Sequence, residues 1–334
     1  MTLQLFPDQE DVFQQTRQQL AHHQRVLIQA ATGFGKTVLG ARMIGGVQAK
    51  GNRAIFNVPR LTLLKQSHES FVDFDIAHGW IAADEEFDPA APSYLSTTVT
   101  LLNRIKNGTA PDVSVLFQDE IHFGGKANQE INDHYKARGA KIVGLSATPE
   151  LPGGKGMDSM FDSMVKGPSI EWLIANGRLS NYDLFCPSRP NYKAPIGKDG
   201  EFQQDALSAL SIADTKNTGD IVGTYIQHAM GKLGVTFATS IEHSILLAEE
   251  YRQRGVPAAH VDGDTPPDIL LATIKAYARR ELLQLTCADL LVFGFDLKAF
   301  SGIDVTIEAI SDGAPTRSIT KQKQKWGRGM RMKP

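Results

Sequence analysis

Short apolar runs alternate with amphipathic segments along the first half of the chain. The runs have the length and continuous apolar character of strands buried on both faces, and the segments between them carry apolar residues at helical spacing. The predicted strands are Arg25–Gln29, Arg53–Arg60, Tyr94–Ser96, Asp112–Phe117 and Lys141–Leu145; the predicted helices are Gln9–His22, Val38–Ile44 and a segment through Leu61 and His68. This alternation indicates an α/β fold with a parallel, doubly wound sheet.

A second alternating pattern begins near Asp220. It predicts the helices Ile221–Met230, Glu242–Arg254 and Asp268–Arg279, and the strands Gly234–Ala238, Ala258–Val261 and Asp289–Val292. The region between the two patterns is predicted to contain an irregular stretch (153–167), a helix (Ser169–Leu179), a strand (Asn181–Phe185) and an exposed connection (187–200). The acidic, proline-bearing stretch 84–92 predicts a surface loop. The chain therefore contains two α/β units.

Composition excludes several classes of protein. The chain has 334 residues, of which 42% are hydrophobic and 22% charged, a length that favours two domains. It contains no apolar run long enough to span a membrane and no secretion signal at its start. Cys186 and Cys287 lie far apart and outside any CxxC pattern, which argues against zinc or disulfides and favours a cytoplasmic location. The net charge of −2 gives no global argument for nucleic acid, so a polyanion would need a local basic groove.

The segment Ala30–Thr37 lies between a predicted strand and a predicted helix. Thr32, Gly33, Phe34 and Gly35 form a loop that would let backbone N–H groups face a phosphate, while Lys36 would contact the β- and γ-phosphates and Thr37 would bind Mg²⁺. Ala30 replaces the first glycine of the usual pattern. The alternative is an ordinary turn between a strand and a helix.

Polar residues also follow the other predicted strands. Asp119 and Glu120 come directly after the strand ending at Phe117, and one carboxylate could hold Mg²⁺ while the other polarises the attacking water. Because ligands bind at the carboxyl ends of parallel strands, a nucleotide site is favoured over the alternative of a solvated acidic turn.

Six ordered motifs resemble those of superfamily 2 helicases. They are the phosphate loop, Asp119-Glu120-Ile121-His122, Ser146-Ala147-Thr148-Pro149, Thr236–Ser240, Gly294-Phe295-Asp296 and Gln324–Arg331 with its Gln-x-x-Gly-Arg-x-x-Arg spacing. Further details, such as Asp262–Pro266, are similar to the RadD-like branch of bacterial and phage DNA helicases. The resemblance spans nearly the whole chain.

The resemblance implies two tandem RecA-like domains, at residues 1–166 and 167–334, with Mg²⁺-ATP in a cleft between them. It implies that Lys36, Asp119 and Glu120 are catalytic together with Gln324 and the arginine fingers Arg328 and Arg331, because a guanidinium matches the charge on the transferred phosphoryl group. The alternative for the arginines is a basic tail. Gly294 and Asp296 are implied to belong to the nucleotide site.

Three further groups of residues take roles from the same resemblance. Gln9 is expected to read the adenine edge, with Phe6 in place of the usual arginine and able to stack on the base; the alternative for Gln9 is a plain helix-start residue. His122, Ser146 and Thr148 are expected to couple nucleotide state to the bound strand. Arg60, Thr97, Thr100 and Thr239 are expected to contact the nucleic-acid backbone without reading sequence, although any single threonine is also typical of exposed capping.

The sequence departs from the family pattern near Gly294, where Val292-Phe293 and Leu297-Lys298 replace the usual residues, and it ends three residues after Arg331. The expectation is either a minimal core, as in phage or mobile elements, or a chain completed by a protein partner. The predicted function is an ATP-dependent DNA helicase or translocase. The alternatives are an RNA helicase and a nucleotide-switched module that binds nucleic acid or protein with little unwinding.

Overall fold

The computed structural model describes residues 4–83, 85–151, 155–187, 192–197, 200–288, 290, 297, 302–303, 305–330 and 332. The chain divides into two compact units, Met1–Leu173 and Ile174–Pro334. The predicted division between residues 166 and 167 lies directly after the last strand of the first unit's sheet and a little before the boundary at Leu173, and it stays a prediction.

The first unit is built on a seven-stranded sheet in which all paired strands are parallel, in the order β3-β4-β2-β5-β6-β1-β9. Its strands are β1 (Arg25–Gln29), β2 (Ala54–Val58), β3 (Gly79–Ile81), β4 (Ser93–Thr97), β5 (Val115–Gln118), β6 (Lys141–Ser146) and β9 (Ser163–Lys166), with a separate hairpin of β7 (Glu150–Leu151) and β8 (Lys155–Gly156). Its helices are α1 (Pro7–His22), α2 (Lys36–Gln48), α3 (Leu61–Asp73), α4 (Thr98–Lys106) and α5 (Gly125–Ala137), and the division between the units falls within α6 (Ile170–Ala175).

The core of this unit follows from the strand pattern. The middle strands β2, β4 and β5 are almost entirely buried, as expected for a sheet covered on both faces. Gly144 of β6 lies where the aromatic ring of Phe161 packs: a Cβ there would be 2.3 Å from the ring. Glycine is therefore required at this position by packing against the sheet.

The strand predictions of the first half are confirmed to within a few residues, but residues 153–167 are not wholly irregular as predicted. β9 forms here and pairs in parallel with β1 at the edge of the sheet. The strand β9 is only four residues long and half exposed, so its sequence shows little of the apolar pattern of a strand. It is a strand because it pairs with β1.

The second unit contains a smaller parallel sheet in the order β11-β12-β10-β13. Its strands are β10 (Gly234–Phe237), β11 (Ala258–His260), β12 (Gln284–Cys287) and β13 (Ala309–Asp312). Its helices are α7 (Gln204–Ala213), α8 (Thr215–Ala229), α9 (Ile241–Gln253), α10 (Pro267–Ala278) and a final described helix, numbered α11 (Ile319–Gly327).

One strand prediction in the second half is wrong, and the strands β12 and β13 were not predicted. Residues Asn181–Phe185 form no strand: Leu184 is 71% exposed, and Phe185 stacks on His228 of α8 instead of joining a sheet. The sequence gives no apolar run for β12, because Gln284 and Thr286 are polar, yet all four residues of this strand are buried. The predicted strand Asp289–Val292 lies outside the described residues except for Leu290.

Replacing Gly144 by alanine should destabilise the first unit by about 1–3 kcal/mol, because the added methyl group overpacks the core against Phe161 and Leu27. The measurement is the urea midpoint of the first unit, followed by hydrogen exchange of the β5 and β6 amides. Gly46→Ala in α2 is the matched control: a Cβ there meets nothing closer than Arg42 at 4.0 Å, so stability should stay equal or rise. Equal midpoints for Gly144→Ala and wild type would contradict this account of the core.

Candidate nucleotide site and nucleic-acid contacts

The loop between β1 and α2 has the backbone conformation of a phosphate-binding loop. Gly33 and Gly35 have φ angles of +86° and +93°, a region that side chains disfavour. Gly35 precedes α2, so Lys36 is the first residue of the helix and the unbonded N–H groups of the first turn face the loop. This geometry fits an anion at the helix N-terminus.

Gln9 fixes this loop from α1. Its amide nitrogen donates to the Phe34 carbonyl at 2.8 Å, and its amide oxygen accepts from the Phe6 backbone N–H at 3.1 Å. A Cβ at Gly35 would lie 2.5 Å from the same amide nitrogen. Gln9 is 2% exposed and acts on the loop itself, whereas Phe6 is 55% exposed.

Asp119 and Glu120 lie on a tight turn directly after β5. The Asp119 N–H donates to the Asn57 carbonyl at 2.9 Å, which continues the pairing of β5 with β2. Glu120 has a left-handed φ of +47°, and its N–H donates to Asp119 Oδ1 at 2.9 Å. A non-glycine residue in this conformation costs about 1–2 kcal/mol, and such strain concentrates at functional sites.

A continuous set of polar contacts joins the phosphate loop to the ends of β5 and β6. Lys36 Nζ lies 3.5 Å from Glu120 Oε1, and His122 Nδ1 lies 3.4 Å from Glu120 Oε2. The latter is an electrostatic contact, since the hydrogen bond of Nδ1 is made with Ser146 Oγ at 3.0 Å. Ser146 Oγ in turn donates to the Thr148 carbonyl at 2.6 Å. The structure thus brings together predicted residues from three separate motifs.

The charges of this site are unbalanced within the first unit. Burial, and then the adjacent Glu120 carboxylate, raise the pKa of Asp119 well above its usual range, while the Lys36 ammonium opposes that shift. Burial also lowers the pKa of His122, so the imidazole adds little positive charge at neutral pH. The site therefore contains two carboxylates and one ammonium group, and a divalent cation would offset the excess negative charge.

The side chains of this site suit Mg²⁺ together with a nucleoside triphosphate. Mg²⁺ is typically held by one or two carboxylates together with phosphate oxygens and water, and Thr37 and Asp119 supply a hydroxyl and a carboxylate. Among the described residues, no group of three or more His, Cys, Asp or Glu side chains could hold a metal ion, so a metal here would need the nucleotide as co-ligand.

The predicted nucleic-acid contacts of the first unit occupy the carboxyl ends of β2 and β4. Arg60 is exposed and precedes α3, with its guanidinium 6.0 Å from the centre of the Phe123 ring. The Thr97 hydroxyl donates to Thr100 Oγ1 at 3.0 Å at the start of α4. Hydroxyls and N–H groups at a helix start suit phosphate oxygens, and contact with nucleic acid stays a prediction.

Thr239 of the second unit is buried, with 1% of its surface exposed. Its hydroxyl is hydrogen-bonded to His243 Nδ1 at 3.0 Å, and its carbonyl accepts from the Gln204 amide. Its predicted role as a nucleic-acid contact would therefore depend on its backbone or on a change of partner.

The helix α11 carries Gln324, which is buried, and ends at Gly327, directly before Arg328. Between them Lys325 is fully buried: its ammonium donates to Asp312 Oδ1 at 2.6 Å and to the Ala314 carbonyl. Glu201 holds the segment before the helix by accepting hydrogen bonds from the Arg317 and Ser318 N–H groups and the Thr316 hydroxyl. Both contacts fix the position of α11. Gly294, Asp296 and Arg331 lie outside the described residues.

Sequence reasoning missed several residues that position the site. Asn128 of α5 donates to the carbonyls of Ile121 and Phe123 and so holds the turn that carries Glu120. Lys325 and Glu201 were not singled out, since charged residues at these positions are typical of surfaces. The sequence does contain one signal that could have been used: Asn57 is a polar residue inside an otherwise apolar strand, which indicates a residue with a positioning role.

Known proteins are similar to this chain over different lengths. The family model "Type III restriction enzyme, res subunit" (ResIII) matches residues 2–151, which contain the phosphate loop and Asp119-Glu120. A 51.5 kDa protein of a Lactococcus phage (isolate 7-9) is 29% identical over 307 residues, or 91% of this chain. The chain spans 62% of the length of that relative.

Solved structures share the fold of the whole chain. The helicase domain of Pyrococcus furiosus Hef matches 97% of this chain and 92% of its own length, with a TM-score of 0.55 and 16% identity. A DEAD box protein from Methanococcus jannaschii matches 97% of this chain and 83% of its own length, with a TM-score of 0.50 and 17% identity. The chain therefore has the fold of these two helicase structures. Its α/β fold is that of tandem RecA-like domains, as predicted, whereas the RadD-like branch stays a prediction.

Among the described residues, no helix is long and apolar enough to cross a membrane.

Replacing Gly35 by alanine should weaken ATP binding at least about tenfold, because a left-handed φ and a 2.5 Å approach to Gln9 each cost about 1 kcal/mol or more. Equilibrium binding of a fluorescent ATP analogue measures the effect. Gly46→Ala in the same helix should bind as wild type does. Wild-type affinity for the Gly35 variant would show that the loop does not hold the nucleotide.

His243 should make the second unit less stable below its usual pKa. Burial lowers the pKa of His243 from 6.5 to about 4, so between these values the unfolded chain binds a proton that the folded chain does not. Unfolding free energy should then fall by up to about 1.4 kcal/mol per pH unit from pH 6.5 to 4. His243→Asn, whose side-chain oxygen can replace Nδ1, should reduce this slope in urea unfolding followed at the β10 amides. The exposed His22→Asn is the control, and equal slopes for all three proteins would contradict the assignment.

Proposed function

We propose that the chain is a Mg²⁺-dependent ATPase that is stimulated by nucleic acid and uses hydrolysis to move on, unwind or remodel DNA. The observation that carries the proposal is the set of contacts from Lys36 through Glu120 and His122 to Ser146, because it connects a phosphate-binding loop with a carboxylate pair and a candidate coupling segment. The likeness to helicases in fold supports the same class of reaction.

Different side chains of the site would bind the phosphates, hold Mg²⁺ and activate the attacking water. The Lys36 ammonium and the loop N–H groups would bind the phosphates, and Thr37 and Asp119 would hold Mg²⁺, which neutralises charge on the phosphate oxygens. Glu120, held between Lys36 and His122, would orient the attacking water and accept its proton. Gln9 would position the loop and contact adenine, with Phe6 stacked on the base.

The second unit would contribute guanidinium groups at the end of α11. Gln324, Arg328 and Arg331 are proposed to act on the γ-phosphate, and Gly294 and Asp296 to complete the nucleotide site. The buried Lys325–Asp312 contact would hold α11 in a fixed register and so limit the positions open to Arg328.

DNA is proposed as the track, with Arg60, Thr97, Thr100 and Thr239 in contact with its backbone. These groups bind phosphate and carry no sequence readout, so the binding would be independent of sequence. The RadD-like details are the basis for preferring DNA over RNA. A cytoplasmic location and a protein partner that completes or regulates the chain stay predictions.

Steady-state ATP hydrolysis tests the proposal with single-stranded DNA, forked DNA, single-stranded RNA or no nucleic acid. DNA should stimulate turnover; Lys36→Ala should lower it at least about a hundredfold and Arg328→Ala about a thousandfold. The exposed Lys50→Ala and Lys323→Ala are matched controls that should behave as wild type.

Each other outcome identifies a different class of protein. Stimulation by RNA alone would assign an RNA helicase. Slow hydrolysis that no nucleic acid stimulates, together with measurable ATP binding, would reject the motor and indicate a nucleotide-switched binding module.

A further inference from the structure

Three polar side chains form a row inside the first unit, where the sequence pattern leads one to expect apolar residues. Ser96, Asn57 and Gln118 are aligned residues on the neighbouring strands β4, β2 and β5. Each follows by two positions a residue of the apolar core on the same face of the sheet: Tyr94, Ile55 and Leu116. None of the three is more than 1% exposed. We call Ser96, Asn57 and Gln118 the polar row.

Asn57 is the centre of the polar row and uses its amide and backbone on three partners. Its amide nitrogen donates to Thr98 Oγ1 at 3.0 Å, and its amide oxygen accepts from Ser96 Oγ at 2.9 Å. Its backbone carbonyl accepts from the Asp119 N–H at 2.9 Å. Thr98 is the first residue of α4 and follows Thr97 directly. Asn57 therefore connects the start of α4 to the carboxylate proposed to hold Mg²⁺.

Gln118 has no hydrogen-bond partner for its amide nitrogen or oxygen within the part of the chain that the structure describes. A buried amide left in this state costs about 1–3 kcal/mol, so a second arrangement in which Gln118 is bonded is accessible in energy. Strands lie about 4.8 Å apart, which places the Gln118 amide within reach of Asn57. The structure shows Asn57 bonded to Thr98, and the position of Gln118 would allow a second arrangement in which Asn57 is bonded to Gln118 instead.

We propose that Asn57 is a positioning residue that couples the start of α4 to Asp119 by exchanging Thr98 for Gln118 as its partner. Binding at Thr97 and Thr100 moves the first turn of α4 and thereby biases the exchange, and the exchange adjusts Asp119 through the Asn57 backbone. Coupling is reciprocal, so nucleotide at Asp119 must change the start of α4 in return. The proposal rests on the proposed function for its two ligands, the nucleotide at Asp119 and the nucleic acid at α4.

Hydrogen exchange of the amides of residues 97–101, with and without Mg²⁺ and a non-hydrolysable ATP analogue, tests the coupling without requiring hydrolysis. In the wild type the analogue should change these exchange rates by at least about fivefold, the low end of typical coupling between sites. Unchanged rates in a wild type that has bound the analogue would overturn the proposal.

Three variants separate coupling from simple packing. Thr98→Val removes the hydroxyl at nearly constant shape and should abolish the nucleotide-dependent change, whereas Thr98→Ser should preserve it. Gln118→Leu should abolish the change while leaving stability equal or higher, because it replaces an unbonded buried amide with an apolar group. A purely structural role for the polar row would not combine lost coupling with retained stability.

Asn132→Ala is the matched control. Asn132 is a fully buried asparagine of α5 in the same unit, and neither polar atom of its amide has a hydrogen-bond partner among the described residues. This variant should keep the nucleotide-dependent change and the basal ATPase rate. Loss of the change in Asn132→Ala as well, or its persistence in both Thr98→Val and Gln118→Leu, would overturn the proposal.

The ATPase assay with DNA distinguishes this inference from the proposed function. If Thr98→Val and Gln118→Leu lower the ratio of stimulated to unstimulated turnover at least about fivefold, the polar row transmits DNA binding. If wild-type turnover is not stimulated by any nucleic acid but the exchange change depends on Thr98, the proposed motor fails while the coupling stands.

Discussion

The pairing of Lys36 with Glu120 is the contact on which the first unit's site depends. It joins the N-terminus of α2 to the turn after β5, two elements separated in sequence by more than eighty residues. Both groups are largely buried, so neither charge can be left alone without a cost of several kcal/mol. Asp119 adds a second buried carboxylate, and this excess of negative charge is what a bound divalent cation would relieve.

The sheet explains why these groups meet. Every paired strand of the seven-stranded sheet is parallel, so the residues that follow β1, β2, β4, β5 and β6 collect at one edge. Hydrogen bonds then convert that common location into defined geometry: Gln9 holds the loop, Asn128 holds the turn of Glu120, and Ser146 holds the imidazole of His122. These hydrogen bonds restrict the positions of the charged side chains, as is required to hold reacting groups in a productive geometry.

The second unit uses buried polar residues to fix its own elements. Gln284 and Thr286 of β12 accept hydrogen bonds from Thr236 and Ser244, so a strand with alternating polar residues can lie inside the sheet. Lys325 similarly crosses from α11 to Asp312 at the end of β13. Buried ionic contacts of this kind add little net stability, but breaking them is costly, and they therefore favour one position of the helix over others.

The sequence by itself determined the α/β class, most strands of the first unit, the phosphate loop and the identity of the carboxylates after β5. These features are local, since strand periodicity, glycines before a Lys-Thr pair and polar residues after an apolar run can each be read without knowing what lies nearby. Only the tertiary structure decided that residues 163–166 form a strand, that residues 181–185 do not, and that Gln284–Cys287 lies inside a sheet. In each case the deciding factor is a neighbouring strand or its absence among the described residues, and hydrogen bonding between distant segments leaves no pattern in the segment itself. The same reason applies to Asn57, Gln118 and Lys325, whose roles depend on partners that only folding brings within reach.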